Sequence, residues 1–420
     1  MQFFSSEEKS LFLKNFVNLA FVKGISKLLP LFITGYTIST LGMFEFGKLG
    51  FARAIAFYFT TLIAYGFDYT GAQQIVQAYA QNHKTKLNYI FTNILFSQII
   101  TIILCFFLYF GLVDCFPAIA EVKMELLYFF GVSIFSALFP IYVFHGINQI
   151  WIVSLLSLLS KVAICALIPF FVKTPDDKLT FIFIHVAVDC VRLIIAYLIL
   201  FVNFKVRITV PNILEVFEQF RNGFSFFVYK CYLLFVSKFS IVFLGFVIHD
   251  AVMIGIFSLC NQIFGVLKEI YNVAIQALYP IVSTKFTSRD NAQGFLFNYL
   301  FVVICPMIII FSLLNYFFAP YILSLFITEN LALNVSLLRV FTIVFAVGAL
   351  NEFLGTNILI PMRKSVAFVL MMIGCIVLSV FFHMYFVNEY GILGGGYAIF
   401  CQEASLLLLQ IVFFLLFQLF

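Results

Sequence analysis

Apolar residues run along this chain in long blocks, interrupted by short clusters of charged or turn-forming residues such as Asn82-His83-Lys84, Thr174-Pro175-Asp176-Asp177, Val210-Pro211-Asn212 and Arg289-Asp290-Asn291. A helix crosses a bilayer with about 20 mainly apolar residues. The blocks predict spans at 11–40, 46–67, 87–111, 124–145, 151–172, 179–203, 217–247, 251–282, 295–318, 332–357, 366–387 and 392–418. The expected fold is therefore all-α, a polytopic membrane protein of about 12 transmembrane helices. No polar stretch is long enough to build a separate soluble domain.

Composition strengthens this reading. The chain is 64% hydrophobic and 10% charged, with a mean hydropathy of +1.11, whereas soluble domains carry about 25% charged residues. The N-terminus carries Glu7 and Glu8 and lacks the basic region and cleavage site of a signal peptide, so it reads as retained. Nine cysteines occur without a C-x-x-C pair, which points to packing residues and away from a metal or disulfide framework. Basic residues in the joining segments divide eleven to four between the two sides. That bias predicts cytoplasmic N- and C-termini. The longest connection, around Val206 to Glu218, is basic and falls at the midpoint. It suggests two pseudo-symmetric six-helix bundles, 1–205 and 217–420, joined by a cytoplasmic linker at 206–216. A weak repeat agrees: Lys23, Lys27, Leu41-Gly42 and Phe46-Gly47 are echoed by Lys230, Lys238, Leu244-Gly245 and Ile254-Gly255. Repeats of this kind place a substrate cavity where the halves meet.

The other nine of 24 lysines and arginines fall inside the spans. A charge at membrane depth is costly and is kept where it faces water or a partner. Lys23 and Lys27 are four apart and share a helix face. Lys230 and Lys238 lie about 80° apart around their helix, and Lys161 is in mid-span. Arg53 and Arg339 are nearer span ends, where snorkelling is an equal alternative. His185, Asp189 and Arg192 form one polar stripe, either a helix tether or an ion-coupling site. Lys268 and Glu269, with Asp68, Glu352 and Glu403, complete the set. Nine bases against five acids leave the interior cationic, which suits an anionic cargo. Candidate substrate-binding residues are Lys23, Lys27, Arg53, Lys161, Arg192, Lys230 and Lys238. Candidate ion-coupling residues are Asp189, Glu269 and His185. The glycine run Gly391–Gly396 precedes an apolar span and lacks the strand–helix context of a dinucleotide fingerprint. No catalytic signature is present, so neither enzymatic activity, a cofactor, a metal nor a nucleic-acid partner is expected.

Several short runs carry a family resemblance. Leu29-Pro30-Leu31, Leu41-Gly42, Phe46-Gly47 and Tyr65-Gly66-Phe67 resemble the first two helices of the polysaccharide transporters of the MATE-like (MOP) superfamily. Leu244-Gly245, Ile254-Gly255-Ile256-Phe257-Ser258 and Leu278-Tyr279-Pro280 are similar to their seventh and eighth. Leu359-Ile360-Pro361 and Gly391-Ile392-Leu393-Gly394-Gly395, with Glu403 following, extend the likeness over nearly the whole chain. By length it resembles the O-antigen flippases (Wzx). His145 and Asn148 stand where relatives often carry Gln and Glu. The resemblance implies reorientation of an undecaprenyl-diphosphate-linked oligosaccharide across a bacterial inner membrane by alternating access. It also implies membrane lipids, and the polymerase and chain-length regulator of the same pathway, as partners. A drug exporter of the same superfamily would want an acidic cavity, and a membrane-embedded polymerase a larger external loop. The cationic interior and the short loops favour flipping.

Overall fold

The structure, a computed structural model, describes residues 6–81, 83–287, 304–327, 331–359 and 365–416. All regular structure among them is helical. The helices are α1 (Ser6–Ala64), α2 (Phe67–Ala80), α3 (Lys84–Cys115), α4 (Pro117–Ala120), α5 (Lys123–Leu138), α6 (Ile141–Gly146), α7 (Ile150–Phe171), α8 (Lys178–Val202), α9 (Ile213–Leu234), α10 (Ser240–Val247), α11 (Ala251–Thr287), α12 (Cys305–Ser324), α13 (Leu331–Leu354), α14 (Ser365–Tyr390) and α15 (Ile392–Leu416). Among the described residues, 11 segments are long and apolar enough to cross a membrane. The first, Leu28–Ala80, has 53 residues and would reach about 80 Å at 1.5 Å per residue. That is more than twice the hydrocarbon thickness of about 30 Å, so it holds two crossings. The chain is a multi-pass membrane protein of about 12 spans, as the apolar blocks predict.

Four places differ from the sequence reading. The loop expected at 41–45 is a single non-helical residue, Gly42 at φ 82° and ψ 162°, within α1. Only glycine adopts that region without strain. The span expected at 124–145 is two helices, because Phe139 at ψ 120° is extended before Pro140, as the ring of a following proline requires. The span expected at 217–247 is interrupted by a π-helical turn at Phe235–Phe239, between α9 and α10. The span expected at 295–318 begins outside the described residues, and its described part runs on to Ser324.

By packing, the chain falls into two compact units, 36–255 and 1–35 with 256–420. The first holds α9 and α10 as well as the helices before them. Its segment after α8 is fastened to one face of α3: Asn88 Oδ1 accepts from the Arg207 N–H at 3.0 Å, Thr92 Oγ1 from Thr209 at 3.0 Å and Asn93 Oδ1 from Asn212 at 3.1 Å. Asn93 in turn donates to Glu215 Oε2 at 2.8 Å. These bonds satisfy backbone donors that an irregular segment would otherwise leave open. They explain why a unit defined by packing runs past the 206–216 linker, whereas the six-helix halves are a reading of an internal repeat. The core of this unit is built from Phe67, Ile75, Phe91, Ile94, Tyr142 and Phe144 on α2, α3 and α6.

In the second unit α13, α14 and α15 pack together around buried polar groups. Ser379 donates to Gln402 Oε1 at 2.8 Å and sits beside His383. Asn315 donates to Thr342 at 2.6 Å, and Tyr271 to the Ala349 carbonyl at 2.9 Å.

Candidate functional site

Within residues 36–255, α1 carries Arg53 and Phe57 one turn apart, on one face. The Arg53 guanidinium lies 5.8 Å from the centre of the Phe57 ring, and the Lys238 ammonium lies 5.1 Å from the same ring. Two cations separated by 185 positions of sequence thus share one aromatic surface. Such contacts contribute about 0.5–2 kcal/mol, more where water is excluded. Lys238 belongs to the π-helical turn, whose wider i→i+5 bonding displaces it from the direction an unbroken α-helix would set.

The stripe on α8 adjoins this pair. Arg192 Nη2 lies 3.2 Å from Asp189 Oδ1, with side-chain exposures of 15% and 13%. The Arg192 guanidinium also lies 5.0 Å from the Phe139 ring. Arg53 is near enough to act electrostatically on both Asp189 and His185. Two buried nitrogens of the stripe, His185 Nε2 and Arg192 Nε, have no hydrogen-bond partner among the described residues. Buried polar atoms are normally paired, so these are places for a ligand or water.

The arrangement brings three cations, Arg53, Arg192 and Lys238, near the Phe57 ring and the carboxylate of Asp189. Guanidinium groups hold phosphate or carboxylate through paired N–H donors, and a lysine holds it as a mobile point charge. The chemistry is that of an anion site.

Other candidates lie elsewhere. Lys230 is held by Asp68 at 2.6 Å, next to the Tyr69 ring at 5.8 Å. Lys161 sits half-buried midway along α7. Glu269 is on α11 in the other unit, beside Lys268, which lies 3.8 Å from Glu352. The side chains of Lys23 and Lys27 lie outside those described, although the backbone of α1 is helical there. Arg339 rests on the Tyr316 ring at 4.5 Å.

Comparison with known proteins decides the family. The sequence profile of the family described as "Polysaccharide biosynthesis protein" matches residues 12–286, well over half of the chain. The chain belongs to this polysaccharide biosynthesis family. A protein of Escherichia coli (strain K12) named "Putative O-antigen transporter" is 29% identical over 271 residues, covering 64% of this chain and 65% of that protein. The match therefore spans just under two thirds of the relative's length. Among solved structures, the inward-facing conformation of a multidrug resistance MATE family transporter of the MOP superfamily superposes with a TM-score of 0.78 at 14% identity, over 94% of each chain. The lipid II flippase MurJ, in its inward closed conformation, gives 0.73 at 14% identity, over 94% of this chain and 87% of that one. At such identities the likeness shows a shared fold.

For this member of the polysaccharide biosynthesis family, the structure also supplies residues that sequence reasoning missed. Phe57 carried no signal, being one phenylalanine among 60. Glu45 and Glu125 both approach Lys178 at 3.0 Å, yet the three come from distant segments of the sequence. Only their convergence in space reveals them.

Proposed function

We propose that this chain reorients an undecaprenyl-diphosphate-linked oligosaccharide from the cytoplasmic to the periplasmic leaflet of a bacterial inner membrane, with Arg53, Arg192 and Lys238 binding the diphosphate. The observation that carries this is the pairing of Arg53 and Lys238 on the Phe57 ring, beside the Arg192–Asp189 pair. Guanidinium and ammonium groups attract a diphosphate and repel a cationic drug. The family, and the transporter and flippase names borne by the similar proteins, support the same direction.

Asp189 has a specific part in this reading. With the site empty it neutralises Arg192; an arriving diphosphate competes for that guanidinium and frees the carboxylate. His185 and Glu269 join Asp189 as ion-coupling groups. Lys23, Lys27 and Lys161 would extend the cationic path. Lys230 serves only if substrate displaces it from Asp68. Alternating access would carry the bound headgroup between leaflets while the lipid tail stays in the bilayer. A polymerase and a chain-length regulator would take over the product.

In a strain lacking the gene, wild-type protein restores surface polysaccharide, and the Arg53→Ala/Lys238→Ala double variant does not. That variant accumulates lipid-linked repeat units on the cytoplasmic face at unchanged protein level. Normal polysaccharide from the double variant would reject the assignment of these two residues.

A further inference from the structure

The crossing of α2 and α9, both within residues 36–255, carries polar side chains that the anion cluster does not use. The two helices run antiparallel. The Tyr69 ring stacks on Phe226 at 5.0 Å, and further along Gln74 and Gln219 exchange amide hydrogen bonds at 3.1 Å. Gln73 follows Tyr69 by four positions and Asn222 precedes Phe226 by four. In an antiparallel pair this spacing makes them the next rung on the flank marked by the stacked rings. Gln77 and Glu218 repeat the step. Tyr69 is 45% exposed, and Gln73, Gln77, Glu218 and Asn222 are exposed as well. Among the described residues none of these last four side chains makes a hydrogen bond or ion pair.

Both helices belong to segments long and apolar enough to cross a membrane. An amide set against hydrocarbon forfeits its hydrogen bonds, so a polar flank on such a helix faces water or a polar ligand. The chemistry of the flank differs from that of the anion cluster. Of its six residues only Glu218 is charged, and it is negative, so nothing here draws a phosphate. Each amide offers donors and an acceptor together, which matches a hydroxyl that both gives and takes a hydrogen bond. A half-exposed aromatic ring adds a flat apolar surface with a polar tip, suited to the C–H face of a sugar ring. Tyr69 lies twelve positions beyond Phe57, about 18 Å of helical rise. A headgroup held at Arg53 and Lys238 would extend its sugars over that distance.

We infer that this flank of the α2–α9 crossing is a glycan subsite. Tyr69 packs against a sugar ring, and Gln73, Asn222 and Gln77 exchange hydrogen bonds with its neutral hydroxyl or amide substituents. The identity of the ligand rests on the flippase reading. The subsite adds discrimination among sugars, which a diphosphate site cannot supply because every lipid-linked repeat carries the same diphosphate.

The test uses the full chain purified in detergent and two probes: undecaprenyl diphosphate without sugar, and the undecaprenyl-diphosphate-linked oligosaccharide extracted from the host strain. Wild-type protein binds the glycan-bearing probe about tenfold more tightly, the worth of one or two net hydrogen bonds. Gln73→Ala/Asn222→Ala loses that preference and binds both probes as wild type binds the bare carrier, at unchanged melting temperature. Should that variant melt lower, Gln77→Ala is read in its place and weakens the glycan-bearing probe alone. Tyr69→Phe, which keeps the ring, retains most of the preference, and Tyr69→Leu loses it. Arg53→Ala/Lys238→Ala weakens both probes alike, so the two sites are separable. Equal wild-type affinity for the two probes overturns the subsite and leaves the anion site standing. An undiminished preference in Gln73→Ala/Asn222→Ala also overturns it, as does equal weakening of both probes. Binding of neither probe to wild-type protein overturns the flippase reading and the subsite with it.

Discussion

Lys178 holds two carboxylates, Glu45 Oε2 and Glu125 Oε1, each at 3.0 Å, with Glu125 almost fully buried. The three residues start α8, lie just past the Gly42 break of α1, and occupy the first turn of α5, so one ammonium ties three helices. Breaking a buried ion pair from one side leaves a charge uncompensated. Lys178→Met is therefore expected to destabilise the protein by on the order of 3 kcal/mol, read as a lowered melting temperature in detergent. Glu45→Gln should cost clearly less, because Lys178 keeps Glu125. Equal losses would show that the clamp is not centred on Glu125. The same reasoning applies to Asp189. Asp189→Asn leaves Arg192 and Arg53 without their carboxylate, and binding of a polyprenyl diphosphate to the purified protein should tighten, by up to about tenfold for each 1.4 kcal/mol of repulsion removed. Weaker binding would mean that Asp189 positions Arg192 and does not compete with the ligand.

At the level of elements, irregular turns set where the candidate side chains point. Gly66 separates α1 from α2 at φ 119°, and a methyl group there would meet the Gly223 carbonyl oxygen and Phe226 Cβ, each at 2.9 Å. Both the backbone conformation and the close approach of α9 thus require glycine. Around this crossing Tyr65 stacks on Phe227 at 4.4 Å and Tyr69 on Phe226 at 5.0 Å. Gln74 and Gln219 exchange amide hydrogen bonds at 3.1 Å. Gly66→Ala should separate α2 from α9 and destabilise by about 1–3 kcal/mol, visible as faster protease cleavage near α2. Gly24→Ala, where nothing lies within 4 Å among the described residues, is a control with no such effect. The π turn at 235–239 acts similarly on Lys238. Deleting one residue from it would restore α-helical bonding and rotate Lys238 by about 100° relative to the helix that follows, away from Phe57. Hydrophobic periodicity cannot disclose such turns, because they change neither composition nor length.

For the whole molecule, the basic-residue bias predicts both termini in the cytoplasm. A fluorescent protein fused after Phe420 should fluoresce and an alkaline phosphatase fused there should stay inactive; the reverse pattern would invert the topology. Membrane insertion, all-helical structure, the approximate number of spans and the family resemblance were all legible in the linear chain, because each depends on local composition over stretches of about 20 residues. His185, Asp189 and Arg192 were also legible as a stripe, since helical spacing alone sets three residues on a face. The meeting of Arg53 with Lys238 on Phe57 was not, nor the Lys178 clamp, nor the bond from Asn351 to Glu403. Those depend on which helices pack against each other and on single-residue breaks at Gly42, Pro140 and 235–239. With 64% apolar positions many packings satisfy the bilayer equally well, and only the contacts of the folded chain choose between them.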